Sequence, residues 1–369
     1  MIFLTGGTGF LGSYALAQLV ERTDASFALL VRARSTAEAE ERLWHHSQLH
    51  WTAEEFWRYR SRIRFVHGDL HADRLGLDAE RWSELAGEVT SICHIAASLN
   101  RKSEKACLNT NLRGTLAVAL LGRAAADRGR LARFTHVSTV AVAGQRSHEV
   151  VEEDAAIDWE RSDYDPYGRT KKFAEHMVTQ MLPDVSRVFL RPSIVMGDSR
   201  FPQTTQFDMV RSFCELAQLP LVPLDPETRL DIVNADWVGE AIARLHLEKK
   251  PAFERYHLAA GENAPRARDI ADALRGTSLG LRFAPRLAPG FGVLVRGMNR
   301  LPRGNAAQAI GALLKVFWPY IVYDTVFANH RATEALGRPP APFPAYCAGL
   351  FEWATSRRYT YPHIPLARP

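Results

Sequence analysis

A tyrosine and a lysine four positions apart carry the sharpest chemical signal in the chain, in the run Tyr167-Gly168-Arg169-Thr170-Lys171. On a helix, this spacing puts both side chains on one face, one turn apart. An ammonium beside a phenol favours the phenolate. Lys171 is therefore expected to lower the pKa of Tyr167 and to poise it as a proton donor near neutral pH. Such a pair also arises by chance, so its meaning depends on its surroundings. Upstream, the apolar run over 133–137 ends in two hydroxyls, Ser138 and Thr139.

A second cluster lies at the N-terminus. The run Ile2-Phe3-Leu4 leads into Thr5-Gly6-Gly7-Thr8-Gly9-Phe10-Leu11-Gly12 and then a helix-like stretch over 13–21. Gly7, Gly9 and Gly12 spell G-x-G-x-x-G between an expected strand and an expected helix, the context in which this pattern cradles a dinucleotide. Gly7 would make the tight turn, Gly9 would admit the pyrophosphate and Gly12 would let helix and strand pack. The phosphates would sit at the helix N-terminus, among free N–H groups. The next apolar run, over 27–31, ends in Arg32-Ala33-Arg34. Arg32 stands twenty residues after Gly12, where NAD-binding chains carry an acid for the ribose 2′-hydroxyl. An arginine there suits a 2′-phosphate, which favours NADP(H). Asp69 and Leu70 end a third run, where Asp69 is placed to bond the adenine amino group. Ala96, Ala97 and Ser98 end a fourth, where small residues let backbone approach the cofactor.

These residues need a scaffold that gathers strand ends. Apolar runs near 2–4, 27–31, 63–66, 91–95, 133–137 and 187–190 alternate with helix-like stretches, several nearly continuous in apolar residues as buried parallel strands are. The expected fold is α/β, a Rossmann-type doubly wound parallel sheet with a smaller, mainly helical C-terminal substrate domain. Residues 1–197 would form the cofactor domain, with 231–260 returning to it. Residues 198–230 and 261–369 would form the substrate domain. The apolar fraction of 46% and charged fraction of 24% fit a globular chain rather than a disordered one. No run reaches the length of about 18 apolar residues that a spanning helix needs, and the start of the chain does not resemble a secretory signal. Four scattered cysteines without a C-x-x-C pair point to a reducing cytoplasm. The net charge of +5 fits a phosphate-rich ligand. Without a basic run interleaved with aromatics, nucleic acid is not an expected partner.

Together, the Thr5–Gly12 loop, Asp69, Ala96–Ala97, Asn111-x-x-Gly114-Thr115, Thr139, Tyr167/Lys171 and Arg191-Pro192-Ser193 resemble an extended short-chain dehydrogenase/reductase. Arg32, the run from Val137 to Gly144, the run from Leu190 through Ile194 to Ser199 and the Trp318–Asp324 segment resemble its thioester reductase and fatty acyl-CoA reductase branch. The resemblance implies Thr139 as the catalytic hydroxyl, with Ser138 its neighbouring alternative, and Tyr167 and Lys171 as acid and support. Asn111 and the Arg191-Pro192-Ser193-Ile194 run join the cofactor side, where Lys171 would also hold the nicotinamide ribose. The implied reaction is hydride transfer from NADPH to a long-chain acyl thioester on coenzyme A or an acyl-carrier protein, giving aldehyde and, after a second round, alcohol. No metal is implied.

Two C-terminal stripes of helical period, Phe291/Leu294/Val295/Met298 and Ala306/Ala309/Ile310/Leu313/Leu314/Phe317, read either as core or as an acyl tunnel, lid or peripheral membrane contact. His45, His46 and His50, interleaved with Trp44, Trp51 and Trp57, read as packing or surface histidines, although His46 and His50 have metal-ligand spacing. Rival functions on the same fold are a sugar-nucleotide epimerase or dehydratase, a hydroxysteroid-type alcohol dehydrogenase and a non-catalytic dinucleotide-binding scaffold.

Overall fold

The computed structural model describes residues 1–369 apart from 303, 304, 306, 307, 309, 310, 313, 315–317, 319 and 369, and apart from the side chains of 289, 292 and 294. The six apolar runs become strands, and a seventh joins them: β1 (Ile2–Thr5), β2 (Phe27–Val31), β3 (Ile63–His67), β4 (Ser91–His94), β5 (Arg133–Val137), β7 (Ser186–Pro192) and β10 (Arg255–Leu258). Every pairing is parallel, in the order β10-β7-β5-β4-β1-β2-β3. All residues of β1, β2 and β5 are buried, which is why their sequences do not alternate. Four two-residue strands lie outside this sheet: β6 (Val150–Val151) pairs with β11 (Val326–Phe327), while β8 (Ile194–Val195) pairs with β9 (Ile232–Val233).

Helices cover both faces of the sheet. On one face, α1 (Phe10–Arg22) packs with α9 (Ala235–Leu247), where Gly239 lies so close to Tyr14 that an added Cβ would sit 2.6 Å from the Tyr14 Cβ. The connection from β2 to β3 adds α2 (Thr36–Ser47) and α3 (Ala53–Arg60), whose Trp44, Trp51 and Phe56 join the same core. A capping box between Thr52 and Glu55 starts α3. On the other face, α4 (Ala79–Glu88), the short α5 (Glu104–Cys107), α6 (Gly114–Ala126) and α7 (Pro166–Met181) enclose Phe134, Val178 and Phe189. Buried Arg133 donates to the carbonyls of Leu245 and His246, capping α9 from the neighbouring strand.

A separate apolar cluster gathers α8 (Asp208–Ala217), α10 (Ala267–Ala273), α11 (Ala288–Asn299) and the helix Cys347–Ser356. Phe291, Val295 and Leu314 are buried in it. The side chain of Leu294, and Ala306, Ala309, Ile310, Leu313 and Phe317, lie outside the described residues. Among the described residues, no helix is long and apolar enough to cross a membrane.

The insertion 44–57 meets the C-terminal tail. Trp44 Nε1 donates to the Ile364 carbonyl and Trp57 Nε1 to that of Ala367, both at 2.7 Å, and His45 stacks on His363. His46 bonds the Thr205 hydroxyl at 2.6 Å and His50 that of Ser13 at 3.1 Å, so both are packing residues.

Candidate active site

The chain reverses direction across the sheet between β1 and β4, and ligands of open α/β sheets bind at such a switch, beyond the carboxyl ends of the strands. A cleft of about 580 Å³ opens there. Its floor is the glycine loop. The tight turn falls on Gly6, with φ of +77°, rather than on Gly7 as the motif suggested. A Cβ on Gly6 would lie 2.6 Å from the Ala96 nitrogen, so the loop is pressed against the end of β4. A Cβ on Gly7 would meet Leu29 and Leu4 in the core, and one on Gly12 would overlap the Gly6 carbonyl. Gly9 is the N-cap of α1 and carries no side-chain cap, which leaves the first-turn N–H groups to an external anion.

Thr5, Gly6, Thr8, Gly9, Phe10, Leu11, Gly12, Arg32, Asp69, Leu70, Ala96, Ala97 and Ser98 all line the cleft. Arg32 is 70% exposed and 4.0 Å from Asp69, so its charge remains available to a ligand. Asp69 accepts the His71 N–H at 2.9 Å. Arg42 of α2, which no motif signalled, lines the same rim.

Four expected cofactor residues do not line it. Gly7 lies beneath the loop. Arg34 is exposed outside the cleft, and its N–H is held by Glu38 at 2.8 Å. Arg191 is locked in a bidentate pair with Glu175, at 3.0 and 2.6 Å, both side chains 3% exposed. That pair ties β7 to α7, and it spends the guanidinium that a cofactor would need. Asn111 is fully buried in a π-helical turn over Leu108–Arg113. Its amide takes the Ser98 N–H at 2.7 Å and donates to the Ser98 carbonyl at 3.1 Å and the Thr170 hydroxyl at 3.2 Å. It therefore fastens the end of β4 to α7. Pro192, Ser193 and Ile194, just after Arg191, do line the cleft.

The reactive hydroxyls meet on the opposite wall. Asp165 caps α7 by accepting the Gly168 N–H at 2.9 Å, and Pro166 fills the first turn, which fixes Tyr167 and Lys171 at the mouth of the helix. Tyr167, Lys171, Ser138 and Thr139 line the cleft together. Ser138 Oγ is buried without a hydrogen-bond partner among the described residues. The Thr139 hydroxyl accepts the Ala141 N–H at 3.2 Å. Burial raises the Tyr167 pKa. Arg101 and the Thr139 hydroxyl oppose that rise, while Asp165 adds to it. The expectation that Lys171 lowers Tyr167 is thus corrected. Burial drives Lys171 itself down to about 7, against the pull of Glu175, and its ammonium donates to the Val137 carbonyl at 2.7 Å. Arg101 places a cation over the Tyr167 ring, 4.9 Å from its centre.

The remaining wall comes from sequence-distant residues: Tyr164, Tyr320, Tyr323, Phe327 and Met209. Tyr320 stacks on Tyr164 and donates to Asp165 at 2.7 Å. The described members of the two C-terminal stripes do not reach the cleft.

A parallel sheet with a glycine-cradled switch point and a tyrosine–lysine helix defines a nicotinamide-dinucleotide oxidoreductase of the extended short-chain dehydrogenase/reductase type. Residues 4–242 match the NAD-binding family described as male sterility protein. The chain belongs to that family, within its thioester reductase branch. Similar relatives include a nonribosomal peptide synthetase of Aspergillus flavus, 31% identical over 266 residues, 68% of this chain and 25% of that protein. Another is the L-2-aminoadipate reductase of Saccharomyces cerevisiae, 27% identical over 67% of this chain and 19% of that protein. The chain thus spans a quarter or less of these relatives. The terminal R domain of a myxalamid PKS-NRPS pathway shares the fold with a TM-score of 0.82 at 24% identity, over 97% of this chain and 91% of that one. A thiolation-reductase di-domain from an archaeal non-ribosomal peptide synthetase does so with a TM-score of 0.71 at 17% identity, over 97% and 75%.

Proposed function

We propose that the chain is an NADPH-dependent reductase of acyl thioesters, acting on a thioester carried by a phosphopantetheine arm of a carrier protein or of coenzyme A. The observation that carries this reading is the placement of Tyr167, Thr139 and Lys171 on one wall of the cleft whose floor is the glycine loop.

The cleft suits the cofactor. The uncapped start of α1 leaves first-turn N–H groups for a pyrophosphate, and Arg32 offers a guanidinium to a 2′-phosphate with Arg42, itself paired to Glu38, on the same rim. Ser138 presents a buried hydroxyl lacking a partner among the described residues. When bound, the nicotinamide supplies a hydride. Tyr167 and Thr139 donate hydrogen bonds to the carbonyl oxygen as negative charge builds there, and Tyr167 gives up its proton. Lys171, buried and held by the Val137 carbonyl, supports the ribose side. The thiol then departs to leave an aldehyde, and a second round would give the alcohol.

Residues 1–197 with 231–260 form the cofactor unit in this reading, supported by β10 and α9 joining the main sheet. Residues 198–230 and 261–369 form the substrate unit, supported by their own apolar cluster. The names of the relatives favour a carrier-bound thioester, and the burial of Phe291, Val295 and Leu314 favours a core role for these described members of the stripes.

NADPH oxidation by the purified chain, with acyl-CoA and acyl-carrier protein offered separately, tests the reading. Tyr167→Phe is expected to cut turnover by roughly 10²-fold or more without losing NADPH binding. Silence with both substrates and with free aldehyde, together with a tightly held NAD, would favour an epimerase instead; the fold is also shared with the UDP-glucuronic acid 4-epimerase of Bacillus cereus, at a TM-score of 0.64.

A further inference from the structure

Arg101 lies in the segment after β4, outside every motif, and yet reaches the centre of the site. Its guanidinium carbon stands 4.9 Å from the centre of the Tyr167 ring and 5.2 Å from that of Tyr320. Its Nε lies 3.4 Å from Asp165, and its side chain is only 17% exposed. Lys171, by contrast, points to the Val137 carbonyl. We infer that Arg101 is a positioning residue that keeps a permanent positive charge against Tyr167 and thereby supports the phenolate that remains after proton donation.

The inference rests on Tyr167 being the proton donor. In that step the phenolic O–H bond breaks, a new O–H bond forms on the substrate's carbonyl oxygen, and the electron pair stays on the phenolate. A cation about 5 Å from the ring centre stabilises that product, and it must stay charged to do so. Arginine does so at every working pH, whereas buried Lys171 titrates near 7. The groups facing Tyr167 come from several elements: Arg101 beyond β4, Cys107 on α5, Thr139 beyond β5, and Asp165 at the cap of α7. Arg101 and Thr139 favour the phenolate, and Asp165 and Cys107 oppose it. Tyr320 and Asp165 bracket the guanidinium, and both raise its own pKa, so it is held in place and charged.

This arrangement predicts opposite shifts from two neighbouring substitutions. Reduction should fail above the pKa of Tyr167, giving kcat a basic limb. Arg101→Gln removes the cation, so the limb should rise by about one pH unit and kcat at neutral pH should fall roughly tenfold. Arg101→Lys keeps a charge and should hold the limb within a few tenths of wild type. Asp165→Asn keeps the helix cap but removes an opposing anion, so the limb should move down. NADPH binding followed by fluorescence shows whether each variant is folded, and the tyrosinate absorbance difference against Tyr167→Phe reads the phenol directly. A basic limb unmoved in Arg101→Gln, with only KM raised, overturns the inference and makes Arg101 a substrate contact. Equal losses in Arg101→Lys and Arg101→Gln overturn it as well, because packing alone would then explain them. If Arg101→Gln does not fold, the limb is read in Arg101→Met, where an unmoved limb overturns it. Turnover that survives Tyr167→Phe removes the proton-donor reading itself, whatever Arg101 does.

Discussion

At the scale of single residues, charge placement matters more than residue type. Arg32, Arg34 and Arg191 look alike in sequence, yet only Arg32 has a guanidinium free to meet a ligand in the cleft. Arg191 is consumed by Glu175 in a nearly dry bidentate pair, and Arg34 lies outside. Cofactor choice should therefore depend on Arg32 and its neighbour Arg42. Replacing Arg32 by Gln removes a planar donor from a 2′-phosphate, worth about 1.5–3 kcal/mol for a charged hydrogen bond. The KM for NADPH should rise roughly tenfold or more while that for NADH stays nearly unchanged. Steady-state kinetics with both cofactors decides it, and an equal rise for the two would remove Arg32 from phosphate recognition.

At the scale of elements, the site is assembled by hydrogen bonds between segments that are remote in sequence. Asn111 sits in the π-helical turn between α5 and α6, and its amide holds the end of β4 through Ser98 and the catalytic helix through Thr170. Such π-helical turns are common at functional sites. A second chain of bonds runs beside it: His94 Nδ1 pairs with Thr5 Oγ1 at 2.6 Å and His94 Nε2 with Thr115 Oγ1 at 2.9 Å, so the start of the glycine loop is tied to α6. Truncating Asn111 to Ala would take a partner from the half-buried Ser98 N–H and carbonyl and from the Thr170 hydroxyl, at a cost of about 1–2 kcal/mol. The urea midpoint should drop and kcat should fall with it, because Tyr167 loses its registration with the loop. Unchanged stability would mean that the Ser98 groups find other partners.

For the whole molecule, the largest electrostatic liability is its set of buried imidazoles. Burial lowers His50, His94, His246 and His257 to about 3, and takes His136 well below its usual value. Each folded-state pKa lies beneath the unfolded value near 6.5, so the unfolded chain binds protons that the folded chain refuses. Their stabilising effect is complete above pH 6.5 and is lost as the pH falls from there towards 3. Asp231, raised by burial to about 6, works in the opposite direction between 6 and its usual value, and Glu153, also raised by burial, joins it, but these are two groups against five. Thermal unfolding from pH 8 to pH 4 should thus show Tm falling steeply below 6. It should still rise gently above 7, because Lys171 is held at about 7 in the fold and titrates at about 10.4 when unfolded. A flat Tm down to pH 4.5 would mean that these rings do not stay neutral in the fold.

What the chain determined by itself was local. Continuous apolar runs marked the buried parallel strands, because a strand covered on both faces has no polar side to alternate. The glycine loop and the Tyr167/Lys171 turn were legible because each lies within a dozen residues, so spacing fixes geometry once the element forms. Even there, the positive φ belongs to Gly6 instead of Gly7, since the turn must clear the Ala96 backbone contributed by another strand. Only the tertiary structure decided the rest. Arg101, Tyr320 and Asp165 meet although Tyr320 and Asp165 alone are 155 residues apart in the chain, and no periodicity records such a meeting. The roles of Asn111 and Arg191 were likewise invisible, because a side chain's partner is set by packing between elements. Nor could Lys171 be assigned its charge from sequence: the spacing put it beside Tyr167, but burial and the Val137 carbonyl determine where its ammonium points and how readily it is protonated.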